Sequence, residues 1–422
     1  MNKLIIISCL FFCNMVVFAQ LTIEECYSKA QANYPLIKQY DLIENSKDYN
    51  LSNASKGYLP QVSFSAKATY QSDVTKLPFN LSQLGIQGVN ISPMSKDQYG
   101  VSVDVHQVIW DGGVIRSRKE GLRLSSEIER RNLEIDLYVI NDRINQVFFG
   151  ILLFDARIEQ NRLYQEDLRR NQTKIQSWVT NGIASQADLD AVSVELLKAL
   201  QTESGLVHTR EAYLNILSAL IGEELKGETV LVRPESVVRM NAFVHRPELE
   251  LFDAQIRNLE AQNKEIDAGL MPRLGVFVTG GYGRPGLNML DNDFSAYYIA
   301  GVNLSWNFSN LYSNKNSKRK IQTGITSVRT RQETFLFNTY LDIFQKQSEI
   351  NKYRDQLKYD DHIISLRNSI RQSSETKMAD GTISGIDLMR DVNAEELAKQ
   401  EKILHEIEML LAIYNLKYVT NN

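Results

Sequence analysis

The sequence predicts a mainly helical chain with a small amount of membrane-type β structure, built as a duplicated helix–strand–strand–helix unit. Three observations predict it. Landmarks recur in order at a nearly constant offset, four segments alternate apolar and polar residues, and two segments carry apolar seams longer than a globular helix needs. Repeats are read first, because missing one mis-assigns the whole fold. Trp110 to Phe308 is a shift of 308 − 110 = 198, while Gly182 to Gly381 is 381 − 182 = 199 and Asp188 to Asp387 is 387 − 188 = 199. Pro60 to Pro272 is 272 − 60 = 212, so the first strand pair holds 212 − 198 = 14 extra residues. They fit in 75–97, with Pro78, Gly85, Gly88 and Pro93. Two copies follow: 20–222 and 245–420, joined by a linker at 223–244 that holds Gly227 and Pro234.

Residues 1–19 read as a secretory signal. Lys3 supplies the positive start, 4–17 the apolar run, and Val17-Phe18-Ala19 a small-residue cleavage motif before Gln20. The run falls short of the roughly 20 residues a membrane span needs. Ile6-Ile7-Ser8-Cys9 has the look of a lipoprotein box but is preceded by too few residues, and Phe12 is too bulky to precede Cys13 in one. After cleavage Cys26 is the only cysteine, which excludes an intramolecular disulfide and a thiolate metal cluster. A net charge of −4 gives nucleic acid no basic face. No later stretch has the length and apolarity of a spanning helix, so any passage through lipid must use strands.

Residues 21–56 read as one helix, with Thr22 and Glu25 spaced as a capping box and Gly57 and Pro60 as the stop. Strands follow at about 61–70 and 99–110, and in the second copy at about 273–282 and 297–308. Val62, Phe64, Ala66, Ala68 and Tyr70 share one face of the first; Tyr298, Ala300, Val302, Leu304, Trp306 and Phe308 share one face of the last. Strands of about ten residues suit a tilted membrane crossing. A soluble hairpin or sandwich is the rival, yet four strands cannot close a barrel, for which about eight is the practical minimum. Either helices cover them or several chains pool them. Tyr58, Tyr70, Tyr99, Trp110, Tyr297, Tyr298 and Trp306 stand near strand ends, as in an interfacial girdle.

The long helices are predicted at 122–180, about 90 Å at 1.5 Å per residue, and at 321–379. Ile140, Ile144, Val147, Ile151, Phe154 and Ile158 step by four and three, a coiled-coil seam. Leu336, Tyr340, Ile343, Ile350 and Leu357 repeat it more weakly, and Ile403, Ile407, Leu410 and Tyr414 resume it.

Taken together, these residues resemble the TolC-type outer-membrane efflux proteins. The carriers are Leu21-Thr22-Ile23-Glu24-Glu25 with Asn33-Tyr34-Pro35, Gly57-Tyr58-Leu59-Pro60, and Val108-Ile109-Trp110-Asp111-Gly112-Gly113. Asn181-Gly182 through Asp188-Leu189, Met271-Pro272, and Asp380-Gly381 through Asp387-Leu388 complete them. The resemblance implies a homotrimer whose four strands per chain make one twelve-stranded barrel in the outer membrane, continued by a periplasmic coiled-coil barrel. It implies a passive channel of a tripartite efflux or type I secretion system, docked to a periplasmic adaptor and an inner-membrane pump. Shorter helices, 21–56 and 184–220, would stack end to end beside a long one.

No catalytic constellation and no cofactor site is evident. The histidines, His106, His208, His245, His362 and His405, lack metal-ligand spacing. Gly280 to Gly286 is glycine-rich but lacks the Lys-Ser/Thr of a phosphate loop and its helix, so it reads as a loop between strands. By resemblance, Asn181, Gly182, Asp380 and Gly381 form tips that face the adaptor. Asp387 lines a pore constriction, which three-fold symmetry would turn into a carboxylate ring that attracts cations, and Asp188 helps hold the closed state. Asp391 is the next acid, and Arg390 stands where the family's second acid is expected, so an Asp387–Arg390 pair is the alternative. The structural alternative for both aspartates is helix N-capping. Pro60, Pro272, Trp110 and Phe308 mark the strand–helix transitions. Arg116, Arg118 and Lys119, and Lys315, Lys318, Arg319 and Lys320, cluster just after strands, either near lipid or as a solvated face.

Overall fold

The computed structural model describes residues 20–75, 94–227, 229–235 and 243–421. The signal at 1–19, residues 76–93 of the insertion and the centre of the linker lie outside them. The elements are β1 (Gln20–Leu21), α1 (Ile23–Asn33), α2 (Gln39–Ser55), β2 (Gln61–Tyr70), β3 (Asp97–Trp110), α3 (Val114–Thr180), α4 (Gln186–Ile221) and β4 (Val230–Leu231). There follow α5 (Pro247–Ala268), β5 (Arg273–Arg284), β6 (Ser295–Ser305), α6 (Asn310–Ala379) and α7 (Gly385–Thr420). Helix, two strands and two helices therefore occur twice in the same order.

The chain divides into two compact units. The first takes the described residues of Met1–Lys38, Leu133–Pro247 and Thr334–Asn422. Its core is helical. Ile140, Ile144, Val147, Ile151 and Ile158 of the α3 seam are buried, together with Phe148, Phe149, Leu168 and Ile175. Ile407, Leu410 and Tyr414 of α7 are buried as well, and the Phe149 and Tyr414 rings lie 5.2 Å apart. Cys26 is fully buried, and burial pushes its thiol up to about 12. Of the weaker α6 seam only Ile350 is buried; Tyr340 is exposed. The described part of the linker is not wholly irregular: Val230–Leu231 pairs in parallel with Gln20–Leu21, and Arg233 bonds Glu406 at 3.0 Å.

Helix α1 begins at the expected capping box, with Thr22 Oγ1 accepting from Glu25 N and Glu25 Oε2 from Thr22 N. The single helix expected over 21–56 is broken, however. Tyr34 is extended at ψ 132°, and a short 3₁₀ turn, Pro35–Lys38, separates α1 from α2. Proline clashes with a helical predecessor, which explains the break.

The second unit takes the described residues of Gln39–Asn132 and Glu248–Glu333. It holds one antiparallel sheet in the order β2-β3-β5-β6. Directly paired residues share a face, so the register defines both faces. Val62, Val105, Val278 and Ala300 form one row, and Phe64, Val103, Gly280 and Tyr298 the next. This apolar face is uncovered: Val62 is 68%, Phe64 71%, Tyr298 78% and Val302 69% exposed. The opposite face is polar, with Ser65 and Ser102 hydroxyls 2.8 Å apart and the Thr279 hydroxyl donating to Asp104 at 2.6 Å. Among the described residues, strands β2 and β6 each pair on one side only.

The last strand stops at Ser305, short of the expected Phe308. Its partner β5 starts at Arg273, directly after Pro272, so nothing remains for Trp306 to pair with. Trp306 instead donates to Leu270 O at 2.9 Å, and Asn307 Oδ1 accepts from Ser309 N at 3.0 Å. Both long helices start earlier than the seams suggested. Buried Asp111 accepts from Gly113 N at 2.9 Å and Ile115 N at 2.6 Å, which caps α3 at Val114. Asn307 stands equally far before α6, at 310 − 307 = 3 against 114 − 111 = 3, so the structural offset here is 307 − 111 = 196. No described helix is long and apolar enough to cross a membrane.

Candidate functional site at the helix tips

The α3–α4 and α6–α7 turns are built alike. Gly182 and Gly381 have φ of 72° and 69°, a left-handed conformation that glycine adopts without strain. At the first tip Ile183 N bonds Trp178 O at 2.8 Å and Gly182 N bonds Val179 O at 3.0 Å. At the second, Thr382 N bonds Lys377 O at 2.9 Å and Gly381 N bonds Met378 O at 2.9 Å. These paired 6→1 and 5→2 bonds satisfy the last carbonyls of each long helix, the Schellman arrangement. Asn181 and Asp380 occupy the final position before each glycine, and both are exposed.

The helices after the tips restart on capping boxes. Ser185 and Ser384 are the N-caps, so Asp188 and Asp387 are not caps themselves but their third-position partners. Each carboxylate bonds the serine hydroxyl, at 2.7 Å for Asp188 and 2.8 Å for Asp387. Beyond this the two diverge. Asp188 Oδ1 accepts a second bond, 2.6 Å, from Gly385 N at the start of α7. One carboxylate thereby ties its own helix end to that of the other copy. A Cβ on Gly385 would lie 2.7 Å from the Asp188 Cβ, so this approach requires glycine. Burial opposes the Asp188 charge, but the donors from Ser185 and Gly385 outweigh it and hold its pKa below the usual carboxylate range.

Asp387 makes no such crossing. Its Oδ1 faces Arg390 Nη1 at 3.7 Å, with Arg390 largely exposed. The Ser384 hydroxyl and amide, then Arg390, keep its carboxyl below the usual range. Asp391 turns the other way, accepting from the Ser374 hydroxyl of α6 at 2.6 Å; Arg390 Nε stands 4.0 Å from it. Beneath these residues lies a core of Leu168, Ile175, Val192, Leu388 and Val392, against which Trp178, Ile183 and Ile383 pack.

One turn further along α7, sequence reasoning missed a buried charge cluster. Glu395 is 2% exposed and takes Arg371 Nε at 2.6 Å, Lys399 Nζ at 2.7 Å and Asn368 Nδ2 at 3.3 Å. Burial works against its charge, while the Lys399, Arg371 and Asn368 donors outweigh that and lower its pKa. Its neighbour Glu396 accepts from two amides, Gln160 at 2.8 Å and Gln400 at 2.9 Å, and burial raises its pKa. Gly385 was legible in principle, since it stands at 385 − 199 = 186, where the first copy has Gln186. Glu395 carries no such mark. Among the described residues no group of His, Cys, Asp and Glu is placed to hold a metal ion.

The fold is shared with solved channel structures. The outer-membrane channel OprN superposes with a TM-score of 0.67 at 14% identity, covering 94% of this chain and 89% of that one. The outer membrane protein VceC of Vibrio cholerae gives 0.65 at 10% identity, covering 94% and 96%. The open-state MtrE outer membrane channel of Neisseria gonorrhoeae gives 0.62 at 11% identity, covering 95% and 89%. No protein-family model matches the chain, and no curated protein matches it by sequence.

Proposed function

We propose that this chain is one protomer of a passive outer-membrane export duct, a non-enzymatic channel that serves an inner-membrane pump through a periplasmic adaptor. The observation that carries the reading is the uncovered apolar face of the sheet. Leaving large apolar side chains such as Phe64 in water costs about 1.5–3 kcal/mol each relative to burial, and lipid removes that cost. The shared fold with structures described as outer-membrane channels supports it.

Trimerisation resolves the two open sheet edges. β2 of one copy meets β6 of the next, and three four-stranded sheets close as a twelve-stranded barrel, which leaves no edge. The exposed stripe on α6, Phe337, Leu341 and Phe344 followed by Tyr359, Ile363, Leu366 and Ile370, supports a second copy as its cover. In this assembly the Asn181-Gly182 and Asp380-Gly381 tips meet the adaptor. Asp387, flanked by Arg390, lines the constriction, while Asp188 and Asp391 hold the helices that present it. A soluble periplasmic adaptor is the rival, and the uncovered sheet face counts against it.

Purification of the mature protein in detergent, with its mass measured, tests the reading. A detergent-bound trimer is expected; a stable monomer in plain buffer overturns it.

A further inference from the structure

We propose that the strand-to-helix junction is a binding collar for the headgroups of anionic phospholipids in the membrane leaflet next to the helices. The inference rests on the outer-membrane reading above and adds a lipid class to it.

The first observation is charge. Between Asp293 and Glu333 the chain has no acidic residue, yet it carries Lys315, Lys318, Arg319, Lys320, Arg329 and Arg331. In the first copy Arg116, Arg118 and Lys119 follow the matching strand; Asp111 before them is buried and used as a cap, and Glu120 after them faces Arg123 at 3.5 Å. The structure then sorts these cations. Lys318 is taken by Asp267 at 2.6 Å, and Lys119 donates to Ser55 at 2.9 Å. Arg116, Arg118, Lys315 and Arg319 are exposed, and no ion pair engages them among the described residues.

The second observation is depth. Along the helix axes Arg116 and Arg118 lie about 3 and 6 Å past the start of α3, and Lys315 and Arg319 about 8 and 14 Å past that of α6. A headgroup layer is roughly 5–8 Å deep on each side, and a long cationic side chain can reach back along its stem. The third observation is the surface leading to them. Trp110, Trp306 and Phe308 are exposed at or just past the ends of the strands, and Tyr312, in the first turn of α6, is 88% exposed. Aromatic residues followed by cations match the boundary between hydrocarbon and headgroups.

The test uses the mature protein reconstituted in nanodiscs of mixed phosphatidylethanolamine and phosphatidylglycerol. Lipids retained by the protein are counted by native mass spectrometry. Wild type is expected to enrich phosphatidylglycerol, and enrichment should fall with added salt because exposed charges are screened over ~8 Å at physiological ionic strength. The quadruple variant Arg116→Gln, Arg118→Gln, Lys315→Gln, Arg319→Gln is expected to lose enrichment at least roughly tenfold, because near-surface cations each contribute several-fold. Arg329→Gln, about 28 Å along α6, should keep it. Enrichment that salt leaves unchanged overturns the proposal without any variant. So does a quadruple variant like wild type, which marks a solvated face, or Arg329→Gln acting like the quadruple, which marks net charge alone. Wild type that retains both lipids without preference overturns the collar only; wild type that retains neither overturns the outer-membrane reading with it.

Discussion

The two helix tips carry the same turn and the same capping box, yet their aspartates do different work. Asp188 spends one oxygen on its own helix and the other on Gly385 of the second copy. Asp387 has the same first bond and no crossing bond; it stands beside Arg390 instead. The reason is steric. Glycine at 385 lets a carboxylate reach the start of α7, while its counterpart Gln186 carries a side chain at the start of α4. The long helices diverge similarly. The α3 seam is buried within the chain, and the equivalent stretch of α6 is largely exposed. Duplication thus supplied two copies of each part, one fixed by contacts inside the chain and one left free to meet something else.

The strongest way to break this contrast is to truncate each seam. Ile144→Ala in α3 is expected to cost about 2–5 kcal/mol, as deletion from a packed core does, read by thermal unfolding in detergent. Phe344→Ala in α6 should leave protomer unfolding within ~0.5 kcal/mol of wild type while lowering the fraction of trimer. Equal losses of unfolding stability would show that α6 is a core helix as well.

The tips sharpen the contrast at smaller amplitude. Asp188→Ala removes a capping bond and a charge-assisted bond to Gly385, and should cost about 1–3 kcal/mol. Asp387→Ala should leave the fold intact and weaken cation preference in planar bilayers. Because the Asp387 pKa is depressed, its charge is present above the ordinary carboxylate range and is lost only as pH falls below it. Cation preference should therefore hold to acidic pH. Unchanged conductance and selectivity in Asp387→Ala would reduce that residue to helix capping.

The smallest effect concerns Glu396. Its folded pKa is raised, so the folded state binds the proton more tightly than the unfolded chain does. Its stabilising contribution is full below the ordinary glutamate value and is lost as pH rises through the raised one. Glu396→Gln should flatten the fall in melting temperature over that window, and an unaltered slope would place the titration elsewhere.

Much of this was legible in sequence because it is local. Alternation over Val62 to Tyr70 fixes which side chains share a face, a 3.5-residue seam fixes the buried stripe of α3, and serine followed three residues later by aspartate marks both helix starts. The break at Pro35 and the early starts of α3 and α6 are legible too, since proline disfavours a helical predecessor and Asp111 and Asn307 offer side-chain oxygens to backbone amides ahead of each helix. Other features depend on which distant segments meet. The pairing of β3 with β5, the reach of Asp188 to Gly385 and the burial of Glu395 beneath Arg371 join residues far apart in the chain or on separate helices. Local preference sets the repertoire of turns, caps and faces; close packing of separated segments decides which groups are spent internally and which remain exposed.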